Sequence, residues 1–263
     1  MKNFFKFDEL LKEINEFKGK NLQIPVFSIG KSVEGRDIFA IKLGSGTKRI
    51  FLSGAYHGCE SITAKILMRF SRELSDGSAF ASPNASLYIV PMVNPDGIEI
   101  AATGKFWQAN ARGVDINHNF DALWDLSKKA EEKYGINGPG PTRFGGEFPE
   151  SEPETKAVAD FARENNFDLA AALHTQGEVI YYDFCGSVPD GTYEYLSKIE
   201  SVSRYRRAVP DGIAAFGGFK DWFIKRFKKP AFTIEAGLGV NPLPMNMFEE
   251  IYTGVLPVLT ALF

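Results

Sequence analysis

The chain has 263 residues, of which 44% are hydrophobic, 13% aromatic and 24% charged. This composition can bury one large core, and it excludes a collagen, a coiled coil and a long disordered chain. Thirty basic residues against 33 acidic ones give a net charge of −3, so no overall positive field favours nucleic acid or an anionic membrane as a partner.

The N-terminal segment and the cysteines indicate the compartment. Residues 1–20 mix phenylalanine with lysine and acidic residues, and they lack the uninterrupted apolar stretch of a secretory signal. No run approaches the roughly 18 apolar residues that a membrane-spanning helix needs. We therefore predict a cytoplasmic protein in which the two cysteines, Cys59 and Cys185, are reduced. Two cysteines alone do not form a structural zinc site.

Helical and strand patterns alternate along the chain. Residues 1–20 predict an amphipathic N-terminal helix that begins at Asp8 and ends at Gly19. A helix is predicted after Glu60, and another after Ser151, with Ser151 and Glu154 as a capping box. A β-hairpin is predicted over residues 26–43, and buried strands over residues 49–54, 86–93, 167–173 and 231–234. Residues 103–149 hold many Gly, Asn and Pro and predict loops near the site.

This alternation predicts one α/β domain over residues 1–263, with helices on both faces of a sheet. Ligands of such sheets usually bind beyond the carboxyl ends of the strands. Polar residues follow each of the buried strands, so the same edge is predicted to carry the chemistry.

Two of the three histidines directly follow predicted buried strands. His57 lies three residues before Glu60 on a tight turn, and His174 ends a different strand. Three nitrogen and oxygen ligands with an open fourth position are typical of a catalytic zinc site. The alternative is a chance spacing, with Glu60 merely an acidic residue in the first turn of a helix.

Further segments argue against the alternative that the spacing of His57 and Glu60 is due to chance. They are residues 94–97 (NPDG), 113–120 (GVDINHNF), 174–177 (HTQG) and 233–237 (TIEAG). In this order they resemble the zinc carboxypeptidases of the carboxypeptidase A type, over roughly residues 30–244. Within that family the chain is most similar to the bacterial γ-D-glutamyl-L-diamino acid endopeptidases, which cleave peptidoglycan stem peptides. The segments that carry this closer resemblance are residues 109–115, 151–155, 174–178 and 239–244.

The resemblance implies a mixed, mostly parallel, twisted sheet of about eight strands and one Zn²⁺ per chain, held by His57, Glu60 and His174. It also implies that Glu235 is the general base, which takes a proton from water and passes it to the departing amine. The alternative for Glu235 is a buried carboxylate paired with another group. Asp96 is predicted either to hydrogen-bond the second ring nitrogen of His57 or to serve only as a turn former.

Two departures from the carboxypeptidases concern the substrate. The family has Asn-Arg where this chain has Asn117 and His118, and histidine cannot replace a bidentate guanidinium on a C-terminal carboxylate. Lys220 matches the family's pocket-floor residue, and a cation there predicts an acidic group on the substrate side chain, such as the extra carboxylate of diaminopimelate. The alternative is that Lys220 is a solvated lysine in a basic run.

Three more residues are assigned by position. Gln108 stands where the family has its transition-state arginine, so the nearest guanidinium, Arg112, is predicted to be the electrophile. The alternative for Arg112 is a structural surface arginine. Gln176 and Glu178 closely follow His174 and are predicted to contact substrate.

These residues together predict a zinc metallopeptidase that hydrolyses the γ-D-glutamyl bond to meso-diaminopimelate, or lysine, in stem peptides during cell-wall recycling. Its predicted partner is a small peptide or muropeptide, with no nucleic acid and no membrane. A metallocarboxypeptidase of broader specificity and a non-catalytic muropeptide-binding protein are the alternatives. Hydrolysis of N-acyl amino acids is less favoured, because residues 94–97 and 113–120 are peptidase-like.

Overall fold

The computed structural model describes residues 4–77, 83–210 and 212–263. Within these ranges the strands are β1 (Val26–Lys31), β2 (Asp37–Leu43), β3 (Lys48–Gly54), β4 (Ala85–Val90), β5 (Leu169–His174), β6 (Val179–Tyr181), β7 (Arg206–Ala208) and β8 (Ala231–Glu235). The helices are α1 (Phe7–Lys20), α2 (Ile62–Asp76), α3 (Pro95–Ala101), α4 (Trp124–Lys133), α5 (Pro153–Asn165), α6 (Thr192–Val202), α7 (Phe219–Phe227) and α8 (Phe248–Thr260). The first three residues of the predicted N-terminal segment lie outside the described ranges.

The strands form one mixed sheet in the order β1-β2-β4-β3-β5-β8-β6-β7. The central strands β4, β3, β5 and β8 run parallel to one another. On one side β2 pairs antiparallel with β4 and β1 with β2, while on the other side β6 pairs antiparallel with β8 and β7 runs parallel to β6. The predicted α/β class, with a mixed sheet of about eight strands, is confirmed.

Apolar side chains of the central strands alternate between two cores, one on each face of the sheet. In β3, Ile50 and Leu52 face the core that α1, α2, α6 and α8 cover, whereas Phe51 faces the core under α5 and α7. The ring of Phe51 packs edge-on against Phe161 and Phe219, each with centroids 5.6 Å away. Both faces of the strand are buried, which explains its continuous apolar sequence.

The carboxyl ends of the parallel strands meet at one edge of the sheet. His174 at the end of β5 is the register partner of Glu235 at the end of β8, and β3 on the other side of β5 ends three residues before His57. The turn after His57 packs tightly on α3, because a Cβ on Gly58 would lie 2.2 Å from the Gly97 carbonyl oxygen. Only glycine at position 58 permits this approach.

Two local predictions were wrong. Residues 94–97, which the alternative role of Asp96 placed in a turn, instead begin α3, whose first turn is capped by Asn94 through a 2.9 Å hydrogen bond from the Gly97 amide. The capping box at Ser151 does not form, because α5 begins one residue later with Glu152 as its cap. The Glu154 carboxylate instead accepts hydrogen bonds from the Val33 amide and from the side-chain amide of Asn110.

The segment of residues 103–149 is less irregular than its composition indicated. It contains α4 and a short 3-10 turn at Ile116–His118, and it crosses the carboxyl edge of the sheet. Among all described residues, no helix combines the length and apolarity needed to cross a bilayer.

Candidate active site

The ligand atoms of three predicted residues converge at the carboxyl edge of the sheet. His57 Nδ1 lies 3.0 Å from Glu60 Oε1, His174 Nδ1 lies 3.0 Å from Glu60 Oε2, and the two Nδ1 atoms are 3.3 Å apart. β3 positions His57 and, through the 3-10 turn Gly58–Glu60, also Glu60, while β5 positions His174. Glu60 and His174 are buried and His57 nearly so.

These separations fit a zinc ion. Ligand atoms placed tetrahedrally at about 2.0–2.1 Å from zinc lie about 3.3 Å from one another. The two histidine nitrogens are 3.3 Å apart, and each lies 3.0 Å from a different oxygen of Glu60. The donor set of two imidazoles and one carboxylate is typical of catalytic zinc. The predicted set of His57, Glu60 and His174 therefore has both the chemistry and the spacing that zinc requires.

Asp115 fixes the orientation of His57. Its Oδ1 lies 3.2 Å from His57 Nε2 and also accepts a hydrogen bond from the Asn117 amide, while Oδ2 accepts one from the Arg143 amide. A proton on Nε2 directed at Asp115 leaves the lone pair of His57 Nδ1 free for a metal.

Of the two alternatives for Asp96, the hydrogen bond to His57 was wrong. Its carboxylate faces the turn between β1 and β2, where it accepts hydrogen bonds from Ser32 Oγ (2.8 Å) and the Glu34 amide (2.9 Å) and pairs with Arg36. Pro95 begins α3 at this point, and the helix directs Asp96 away from His57. Asp115 occupies the position predicted for Asp96.

Asn241 holds the carboxylate of Glu60, one of the candidate metal ligands, from the other side. Its Nδ2 donates to Glu60 Oε1 (3.2 Å) and to the Thr175 carbonyl (2.8 Å), and its Oδ1 accepts from Thr175 Oγ1. From the sequence, Asn241 was noted only as part of residues 239–244, which carry the family resemblance, and it was given no role of its own. No spacing signal linked Asn241 to Glu60.

The charges of the ligand cluster stabilise a cation at its centre. Burial disfavours the protonated form of His57, but the carboxylates of Glu60 and Asp115 outweigh it and raise the pKa of His57. Burial disfavours ionisation of Glu60, but His57 and His174 outweigh it and lower the pKa of Glu60. The carboxylates therefore stay ionised beside the histidines, as metal binding requires.

Glu235 has the opposite electrostatic environment. Burial and the negative charge of Glu60 raise its pKa to about 8, against the weaker opposing effect of His57. It lines the same cleft as the three ligands. Within the described part of the chain, no hydrogen-bond donor or cation is found on its carboxylate, so the partner that a purely structural Glu235 requires is not found there.

The cleft beside the ligands has a volume of about 240 Å³. Besides His57, Glu60, His174 and Glu235, it is lined by Gln108, Asp115, Asn117, His118, Arg143, Thr175, Tyr181, Pro210, Ile213, Ala214, Gly218, Lys220, Asp221 and Thr233. Three of the predicted substrate-binding residues are thus in the cleft: Asn117, His118 and Lys220.

The segment before α7 holds the Asn117–His118 turn in place. Asn117 Oδ1 accepts a hydrogen bond from the Phe219 amide, so this side chain also has a structural role. Gly217 has φ +78°, and a Cβ there would lie 2.7 Å from the His118 carbonyl oxygen. Burial is the largest effect on the pKa of His118 and lowers it, so the imidazole is neutral at pH 7.

Three other predicted residues lie elsewhere. Arg112 is exposed, with its guanidinium 3.6 Å from Glu152, and it does not line the cleft. Glu178 is buried against Arg204 through two contacts of 2.6 and 2.7 Å, also outside the cleft. Gln176 is exposed and is likewise not a lining residue.

The sequence did not reveal the position of Arg143 in the cleft or the buried environment of Lys220. Arg143 lines the cleft, although residues 141–144 contain no recognisable motif. Lys220 is 4% exposed, so the alternative of a solvated lysine was wrong. Its Nζ donates to the Asp183 carbonyl and pairs with the neighbouring Asp221.

An α/β sheet whose strand ends bring together two histidines and two glutamates, one of which has no partner among the described residues, defines the class of metal-dependent hydrolases of the catalytic-zinc type. The sequence pattern of the family described as zinc carboxypeptidase matches residues 10–254. This chain belongs to the zinc carboxypeptidase family.

Relatives and solved structures agree with this family. The chain is 35% identical over 267 aligned residues to gamma-D-glutamyl-L-diamino acid endopeptidase 1 of Lysinibacillus sphaericus, with 89% of this chain and 65% of that protein covered. The chain therefore spans about two thirds of that relative's length.

Two solved structures share the fold. Bovine thrombin-activatable fibrinolysis inhibitor in complex with tick carboxypeptidase inhibitor superimposes with a TM-score of 0.82 and 20% identity, over 99% of this chain and 96% of that one. Murein-tripeptide amidase MpaA from Escherichia coli O157 gives a TM-score of 0.60 and 19% identity, over 90% of this chain and 91% of that one. At these identities the likeness concerns the fold alone.

Proposed function

We propose that this protein is a zinc metallopeptidase that hydrolyses the γ-D-glutamyl amide bond to meso-diaminopimelate, or to lysine, in peptidoglycan stem peptides. The observation that carries the hydrolytic part is the convergence of His57, Glu60 and His174 in one cleft with Glu235, whose carboxylate has no partner in the described ranges. The substrate part is supported by the 35% identity to an endopeptidase named for this bond. It is also supported by a neutral His118 in place of an arginine that would clamp a C-terminal carboxylate.

The chemistry follows from the charges of the cleft. Zinc held by His57, Glu60 and His174 would supply a Lewis acid that polarises the scissile carbonyl and makes a water molecule more acidic. Glu235 accepts a proton from the attacking water and donates it to the departing amine. In the metal-free protein, burial and the charge of Glu60 raise the pKa of Glu235 to about 8. The positive charge of bound zinc would lower this pKa, so that the ionised carboxylate can take the proton from water.

Arg143 is our candidate for stabilising the negative charge that develops on the carbonyl oxygen, in place of Arg112. It is the arginine among the described cleft-lining residues, whereas Arg112 lies against Glu152. Arg143→Met is expected to lower kcat/KM by about 10²-fold, as loss of one such donor typically does, with a smaller loss in Arg143→Lys. Arg112→Met is the matched control and should stay within about threefold of the parent. A large loss in the Arg112 variant with an unchanged Arg143 variant would return the role to Arg112.

The substrate is tested with L-alanyl-γ-D-glutamyl-meso-diaminopimelate and the zinc-loaded protein, with products followed by mass spectrometry. We expect L-alanyl-D-glutamate and free diaminopimelate. A second peptide, extended by D-alanine, separates endopeptidase from carboxypeptidase action, because the former releases the dipeptide diaminopimelyl-D-alanine and the latter removes D-alanine first.

The alternatives give different products. Cleavage of ordinary α-linked peptides with a free C-terminus, but not of their amidated forms or of the stem tripeptide, would favour a metallocarboxypeptidase of broader specificity. Tight binding of the tripeptide without turnover, with zinc present, would favour a muropeptide-binding protein. The cytoplasmic location and the role in cell-wall recycling stay predictions and belong to this proposal.

A further inference from the structure

An ammonium group and a carboxylate lie side by side in the wall of the cleft. Lys220 and Asp221 are the second and third residues of α7, and they are 4% and 2% exposed. Lys220 Nζ contacts Asp221 Oδ1 and the Asp183 carbonyl oxygen. Both side chains line the cleft that contains the metal ligands and Glu235. The cleft therefore presents a buried ion pair to the substrate, rather than the isolated cation that the sequence predicted.

Each member of this pair keeps capacity for another hydrogen bond. An ammonium has three donors, and the two contacts of Lys220 use two of them. A carboxylate has about four acceptor positions, and Asp221 uses one for Lys220 and one for the Gly218 amide. An incoming carboxylate can bind Lys220 while an incoming ammonium binds Asp221, without breaking the pair.

The surrounding charges leave room for a second positive group. Burial, together with the charge of Asp183, raises the pKa of Asp221 to about 6 against the opposing effect of Lys220. Asp183 is itself buried, and its Oδ1 has no partner within the described ranges. The ammonium of Lys220 thus contacts the Asp221 carboxylate and the main-chain carbonyl of Asp183, and Asp221 also feels the negative charge of Asp183. A ligand that brings only negative charge would add to these buried negative charges, whereas a ligand that also brings an ammonium compensates them.

We propose that Lys220 and Asp221 together recognise a zwitterionic side-chain end, in which one carbon carries both an ammonium and a carboxylate. This inference rests on the proposed function and concerns the residue whose amino group is released. The substrate carboxylate binds Lys220, and the substrate ammonium binds Asp221. meso-Diaminopimelate has both groups on its far carbon, lysine has only the ammonium, and 2-aminopimelate has only the carboxylate.

The test compares three tripeptides, L-alanyl-γ-D-glutamyl-X, in which X is meso-diaminopimelate, lysine or 2-aminopimelate. The parent is expected to favour the diaminopimelate peptide over each of the others by at least about tenfold in kcat/KM, because each analogue leaves one buried charge without its partner. Lys220→Met should abolish the preference over lysine and keep the preference over 2-aminopimelate. Asp221→Asn should do the reverse.

These ratios do not depend on how much of a variant is folded, so a purely structural role would lower all three activities equally and overturn the proposal. Equal use of the three peptides by the parent would overturn it as well, even if neither variant folds. Binding of the same peptides to zinc-loaded Glu235→Gln, measured by calorimetry, separates this inference from the proposed function. Preferential binding of the zwitterionic peptide without hydrolysis by the parent would refute the function and keep the inference, whereas hydrolysis without preference would do the opposite.

Discussion

Glu235→Gln is expected to lower kcat/KM for the stem tripeptide by about 10³-fold while the zinc content stays at one ion per chain. Four carboxylates line the described cleft, and three of them have assigned partners: Glu60 faces the histidines, Asp115 orients His57, and Asp221 pairs with Lys220. Glu235 is the one that remains to move a proton. Glutamine keeps its size and removes the basic oxygen, so the loss should appear in kcat more than in KM.

Glu178→Gln is the matched control for this substitution. Glu178 is also a buried glutamate shortly after a cleft residue, but its carboxylate is bound to Arg204 outside the cleft. We expect a lower melting temperature and a kcat/KM within about threefold of the parent. Comparable losses in the two variants would contradict the assignment of Glu235 and favour the predicted substrate contact of Glu178.

The stability difference between the Glu235→Gln variant and the parent should depend on pH, and the raised pKa of Glu235 gives the sign of this dependence. A carboxyl group whose pKa is raised on folding, here to about 8, stabilises the fold below its ordinary pKa of 4.5 and loses that contribution as the pH rises through about 8. In metal-free protein, the free energy of unfolding of the variant relative to the parent should therefore increase between pH 5 and pH 9. A difference that does not change with pH would show that Glu235 titrates normally.

The candidate metal ligands could be predicted because they lie where apolar strands end. A parallel sheet brings the ends of its strands to one edge, so His57 and His174, 117 residues apart in sequence, come within 3.3 Å. The same reasoning located Glu235, which is the register partner of His174. By contrast, β7 (Arg206–Ala208) is three residues long and charged, and nothing in its sequence indicated a strand.

The partners of the ligands could not be predicted in the same way. Asp96 and Asp115 both stand in polar segments after apolar residues, and the choice between them depends on how residues 103–149 cross the sheet edge. That path brings Asp115 to His57 across 58 residues of sequence and places the guanidinium of Arg143 in the cleft. No periodicity or motif determines such long-range contacts, because loop conformation depends on the finished fold. The family resemblance located Lys220, but it did not reveal that Asp221 neutralises it.

His174→Ala is expected to weaken zinc binding by more than about 10³-fold and to reduce hydrolysis to background, because two remaining ligands cannot complete a site that needs three. The Nδ1 atom of His174 lies within 3.3 Å of both other ligand atoms, so its loss opens one side of the cluster. The measurements are zinc content after dialysis against a graded chelator and activity after zinc is added back. The parent should recover activity on addition of zinc, and the variant should not.

The third histidine makes this prediction specific. His118→Ala removes an imidazole that lines the same cleft but is not part of the ligand cluster, so zinc affinity should be unchanged. The zinc affinity of Asp115→Asn should lie between those of the two histidine variants, weakened by about 10–100-fold. In this variant His57 keeps its place but loses the carboxylate that fixes its tautomer. The order His174, Asp115, His118 follows from the contacts: His174 belongs to the ligand cluster, Asp115 contacts one of its members, and His118 only lines the same cleft. Equal zinc loss in all three variants would mean that the substitutions act through the fold, and it would remove the support that the geometry gives to the proposed enzyme.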